Sequence, residues 1–129
     1  MPELSWTDEE IYLVADRGFA FFKQGCYQEA GIIFEGLTTL DPLNAYCRKA
    51  LSTVCMVLNN PQRAVRELSM VLNQNPADHD ARGRRCEAYC SLQSWNEARQ
   101  DLEILRRNGQ RRFAQRAAWR MQAAGGPAH

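Results

Sequence analysis

A chain of 129 residues, 45% apolar and 24% charged, has the material for one folded unit with a core, and its formal net charge of +1 stands against a general nucleic-acid binder. No apolar run approaches the roughly 20 residues of a membrane helix, and the acidic start Met-Pro-Glu-Leu-Ser-Trp-Thr-Asp-Glu-Glu excludes a secretory signal. Five cysteines, an odd number without disulfide-framework spacing, fit reduced cytosol.

In chain order, Thr7 and Glu10 form a capping box, with Trp6 and Ile11 spaced as a hydrophobic staple, so a helix begins there. Asp41-Pro42 and Asn75-Pro76 interrupt helix, because the residue before proline disfavours it. Asn60-Pro61 reads as a cap followed by proline at the first helical position, and Ser94 with Glu97 as a second capping box. Asn108-Gly109 ends a sixth helix. Phe113, Ala117, Met121 and Ala124 then recur at helical spacing, which predicts a seventh helix covering the end of the stack. Acids open the chain (Glu3, Asp8, Glu9, Glu10) and arginines close it (Arg106, Arg107, Arg111, Arg112, Arg116, Arg120), with no acid after Glu103. Part of that asymmetry complements helix dipoles.

Ala30, Ala64 and Ala98 stand one 34-residue period apart. Other positions keep the register: Gly18, Phe21, Tyr27, Phe34, Leu37 and Pro42; then Leu51, Ser52, Cys55, Leu68, Val71 and Pro76; then Cys86, Tyr89, Trp95, Leu102 and Leu105, with Gln110 replacing proline. This pattern resembles the tetratricopeptide repeat, with Arg17 and Arg85 departing from its usual leucine. The resemblance implies an all-α single domain over 1–129: repeats 11–44, 45–78 and 79–112 in a right-handed superhelix, plus a capping helix at about 111–124.

By the rule of that family, the first helix of each repeat lines a concave groove, here with Tyr12, Ala15, Phe19, Phe22 and Lys23, then Tyr46, Lys49, Thr53, Met56 and Val57, then Asp80, Gly83, Glu87, Cys90 and Ser91, bordered by Arg84. Tyr12, Phe19, Phe22, Tyr46, Lys49, Thr53, Met56, Arg84 and Glu87 are the expected partner contacts, suited to a segment with large apolar anchors and a polar end. For Phe19 and Phe22 a plain packing role under Trp6 or the N-terminal tail remains open. The family's basic clamp for chaperone C-termini is missing: Ala15, Phe19, Ala50 and Asp80 stand at its positions, and Arg84 alone matches.

The stretch from Gly18 to Ala30, followed by Ile33-Phe34-Glu35-Gly36-Leu37-Thr38-Thr39-Leu40-Asp41-Pro42, resembles the three-repeat chaperones of bacterial type III secretion. With Leu58-Asn59-Asn60 and Arg63-Ala64 it is most similar to the SctY or YscY group, which partners a small secreted X protein, and next to the translocator chaperones. The resemblance implies a bacterial cytoplasmic binder, in a heterodimer with one export client, that presents the client to the export gate; self-association through the same surface stays open. A general interaction scaffold outside secretion is the alternative. Nucleic-acid binding through the C-terminal arginines, with Arg82, Arg84 and Arg85, is a remote one.

No enzyme and no cofactor is expected. There is no Gly-rich phosphate loop, and only His79 and His129 are available to a cysteine. Cys86, Cys90 and His79 have helical spacing but fall short of four zinc ligands, so no metal is expected. Trp119 lies off the stripe expected to be buried and is flagged as a protein contact.

Overall fold

Capped helical runs separated by tight turns give seven helices in the computed structural model, which describes residues 6–127: α1 (Asp8–Lys23), α2 (Tyr27–Leu40), α3 (Ala45–Val57), α4 (Pro61–Gln74), α5 (His79–Ser91), α6 (Trp95–Arg107) and α7 (Arg111–Ala123). The architecture is all-α, with no strand among the described residues. Glu3 and His129, which entered the charge and ligand arguments, lie outside them. No helix among the described residues is long and apolar enough to cross a membrane.

The Thr7 box forms: the Glu10 amide donates to Thr7 Oγ1 at 3.1 Å, and the Thr7 amide donates to Glu10 Oε1 at 3.0 Å. This reciprocal bond holds the Glu10 carboxyl below its usual range. Of the expected staple, Ile11 is buried and Trp6 is 39% exposed. Asn44, Asn60 and Asp78 cap α3, α4 and α5 through side-chain oxygens. Ser94 makes no such bond, contrary to the sequence reading. Its ψ of 71° lies far from the 159° of Thr7, and at similar ψ only the longer Asn and Asp side chains reach the helix amides.

Gly25, Asn59 and Gln93, one period apart, all adopt left-handed backbone, with φ of 82°, 60° and 57°. Each lets the next amide bond back to the ending helix: Cys26 to the Phe21 carbonyl at 2.8 Å, Asn60 to Cys55 at 2.7 Å and Ser94 to Tyr89 at 2.9 Å. Gly109 closes α6 in the same way at φ 68°.

These turns lay each even-numbered helix against the one before it. Ala30, Phe34 and Leu37, and their counterparts Ala64, Leu68 and Val71 and Ala98, Leu102 and Leu105, are none more than 3% exposed. Burying each large member contributes about 1.5–3 kcal/mol. At Gly18 a Cβ would lie 2.8 Å from Phe34 Cζ, so the aromatic ring needs a residue without a side chain opposite it.

The expected polar departure at Arg85 becomes a buried ion pair, with Asp101 of α6 as acceptor. A related pair recurs along the stack: Arg48 donates to Glu67 at 2.7 Å between α3 and α4, and Arg82 to Asp101 at 3.2 Å between α5 and α6. In the first repeat the same register holds Val14 and Ile33, both packed on the apolar core. Arg17 is exposed. The final helix packs on both α5 and α6, burying Ala114, Ala117 and Met121.

Candidate functional site

Side chains of the odd-numbered helices meet along one wall, which places most of the expected contact residues together. At its α1–α3 end Tyr12 and Tyr46 touch edge to face with ring centroids 5.2 Å apart, yet remain 48% and 39% exposed. Phe19 is half-buried between Tyr46, at 5.8 Å, and the core ring of Phe34, at 4.9 Å. It therefore supports the tyrosines from below and packs on the core at once. Phe22 stacks instead on Tyr27 of α2 at 5.1 Å, away from the tyrosine pair. Burial, followed by the Asp16 carboxylate, pushes the Tyr46 hydroxyl above its usual range, so it stays a neutral donor.

Toward α5 the wall becomes polar and internally paired. Lys49 Nζ lies 3.1 Å from Asp78 and 3.5 Å from Asp80. Arg84 donates through Nε to both Asp80 oxygens at 3.1 Å and through Nη1 to Thr53 Oγ1 at 2.8 Å. Glu87 accepts from Arg116 of α7 at 2.9 Å. Four expected residues, Lys49, Thr53, Arg84 and Glu87, are thus already in ion pairs or hydrogen bonds along this wall.

Between these polar groups and α7 opens a cleft of about 510 Å³, lined by Thr53, Met56, Val57, Glu87, Arg120 and Trp119 among others. Met56 is half-buried there, and Val57 is 46% exposed. Arg116, Trp119, Arg120 and Ala123 of α7 thus share in the cleft; of these the sequence singles out Trp119 as a contact, whereas the family rule for the groove stops at α5. The signal was present in the 33-residue offset that carries Glu87 onto Arg120.

Three expected groove positions are closed. Ala15 and Cys90 are buried at 0% and 1%, and Gly83 sits beneath Phe113 of α7, to which an added Cβ would lie 3.5 Å away. Small residues at these crossings let the helices approach, so they form floor rather than contact surface. Of the clamp positions, Ala15 and Ala50 are buried, and Arg84 already holds Asp80.

No protein-family model matches the chain, and no curated protein matches it in sequence. Solved structures do. PcrH from Pseudomonas aeruginosa superposes with a TM-score of 0.80 at 17% identity, over 95% of this chain and 96% of that one. The first TPR of Spaghetti (RPAP3), bound to an HSP90 peptide, gives 0.78 at 20% identity over 95% and 96%. The fold is the tetratricopeptide repeat. A further likeness is to the type III secretion translocator chaperone SycD of Yersinia enterocolitica, with a TM-score of 0.79 at 14% identity over 91% of each chain. In tetratricopeptide-repeat terms, α1, α3 and α5 are the first helices of three repeats and α2, α4 and α6 the second.

Proposed function

We propose that the odd-helix wall binds a segment of another protein and that the chain acts as a chaperone for one export client in a bacterial cytoplasm, with residues 1–129 serving as one binding unit. The carrying observation is the pair Tyr12 and Tyr46, two rings in contact with each other and open to solvent on the wall formed by the odd-numbered helices. A pre-positioned aromatic pair gives a partner large contact area without ordering the receptor first. Similarity to SycD, and to PcrH solved with the chaperone binding region of PopD, supports a secretion client, as do the SctY-like motifs of the first two repeats. The partner's anchors are large and apolar opposite Tyr12, Phe19, Tyr46 and Met56, and polar opposite Lys49, Thr53, Arg84 and Glu87.

Although the RPAP3 domain takes an HSP90 peptide, the residues here do not favour an acidic C-terminus as ligand, since Arg84 is committed to Asp80. Binding by mass action is sufficient for the role: free chaperone at a hundred times the dissociation constant stabilises the bound form of the client by about 2.7 kcal/mol.

The test is co-expression with secreted proteins encoded beside this chain, followed by size-exclusion chromatography. A stable one-to-one complex with one of them, lost in Tyr12→Ala/Tyr46→Ala while circular dichroism stays helical, supports the reading. A complex unaffected by the double substitution rejects the wall as the binding surface.

A further inference from the structure

The last helix is half of a repeat. It repeats the α5 pattern thirty-three residues on: Ala114 and Met121 stand where Ala81 and Ala88 stand, and all four are 6% exposed or less against the preceding second helix. In that register Trp119 occupies the position of Gly18, Ser52 and Cys86. All three are buried, and two of them against the second helix of their own repeat: Gly18 under Phe34, and Cys86 through a 3.2 Å bond from its thiol to the Ala98 carbonyl. Trp119 has no such cover and is 64% exposed.

No helix follows α7 among the described residues. Gly126 instead folds back so tightly on Met121 and Trp95 that no Cβ fits there. What remains beside α7 is a cleft of about 730 Å³, lined by Arg106, Arg111, Ala114, Gln115, Ala118 and Trp119. A helix that merely solvates the end of an array has a polar outer face. This one offers an indole and small apolar residues beside two cations, Arg106 and Arg111. Of the six arginines from Arg106 to Arg120, Arg107 pairs with Glu103 and Arg116 with Glu87. The other four meet no carboxylate among the described residues.

We propose that this cleft is a second docking surface, which meets the odd-helix wall at Trp119 but is lined by Arg106 and Arg111 where the wall is not, and where an acidic amphipathic helix of a partner protein supplies the missing second helix of a fourth repeat. The chain's own second helices state what such an occupant presents: a small residue followed four and seven positions later by large apolar ones, as in Ala30, Phe34 and Leu37. Carboxylates flanking that stripe then meet Arg106 and Arg111. A second copy of this chain and nucleic acid are the competing occupants.

The probe is a synthetic helix of about 15 residues with Ala, Leu and Leu at those spacings and glutamates beside them, compared with a version carrying lysines. Fluorescence anisotropy at about 0.15 M salt is expected to give saturable one-to-one binding of the glutamate peptide. Binding should weaken about tenfold or more in Arg106→Glu/Arg111→Glu and in Trp119→Ser, and be unchanged in Tyr12→Ala/Tyr46→Ala. Four outcomes overturn the proposal: equal affinity for the lysine peptide, indifference to both substitutions, a wild-type dimer that Trp119→Ser abolishes, or displacement of the peptide by random duplex DNA. Because the tyrosine pair is intact in the arginine variant, failure here is distinguishable from failure of the odd-helix wall.

Discussion

Arg85 donates to both oxygens of the Asp101 carboxylate, at 2.9 Å through Nε and 2.7 Å through Nη2, in an interface where Asp101 is 1% exposed. The bond raises the Arg85 pKa still further, and Arg82 adds a third contact at 3.2 Å. One buried acid therefore compensates two guanidinium groups. Removing it leaves both without a counter-charge, so Asp101→Ala is expected to cost about 3–5 kcal/mol. Urea unfolding measures this, and a loss below about 1 kcal/mol would contradict the pairing.

The counterpart pair Arg48–Glu67 carries an internal control, because the first repeat places Val14 and Ile33 at the same two positions. Glu67→Ala alone is expected to destabilise by about 3 kcal/mol, whereas Arg48→Val/Glu67→Ile together should fall between neutral and about 2 kcal/mol stabilising. If the double variant is worse than the single one, the apolar pair of repeat one is not equivalent.

Gln93 holds a left-handed φ of 57° where the first repeat uses Gly25 and the second Asn59. A residue with a Cβ is strained there, so Gln93→Gly is expected to gain about 0.5–1 kcal/mol, seen as a rise in Tm. Gly25→Ala should lose a similar amount. A fall in Tm for Gln93→Gly, or a rise for Gly25→Ala, would remove the argument.

Burial and then the Asp41 carboxylate push the Cys47 thiol from its ordinary 9.0 up to about 11. Between those values the folded state holds a proton that the unfolded chain releases. The contribution is therefore complete below pH 9 and declines as pH rises toward 11. Alkylation by iodoacetamide at pH 8, read by mass spectrometry, should modify the half-exposed Cys26 and spare Cys47, Cys55, Cys86 and Cys90 until denaturant is added.

Most of the fold was legible because it rests on short-range spacing: the period of Ala30, Ala64 and Ala98, proline punctuation and glycine stops each act through the local backbone. The failed box at Ser94 depended on a ψ angle set by the preceding turn, which residue types do not reveal. The wall was legible in outline, since the 34-residue period aligned Tyr12 with Tyr46 and Thr53 with Glu87. Two features were not. Phe22 meets Tyr27 across the α1–α2 turn, a pairing the groove rule does not reveal, and the interface acid for Arg85 was hidden in an otherwise unremarked Asp101. The share of α7 in the cleft required seeing that a further first helix follows the third repeat although Gln110 replaces the proline there.

The central claim, that the odd-helix wall receives a partner segment, is tested most directly by photo-crosslinking. A benzoylphenylalanine is placed at Tyr46, on the wall, or at Ile32, which is 72% exposed on α2. With the co-purified client, crosslinks are expected from position 46 and none from position 32. Crosslinks from position 32 with none from position 46 would place the partner elsewhere and contradict the account.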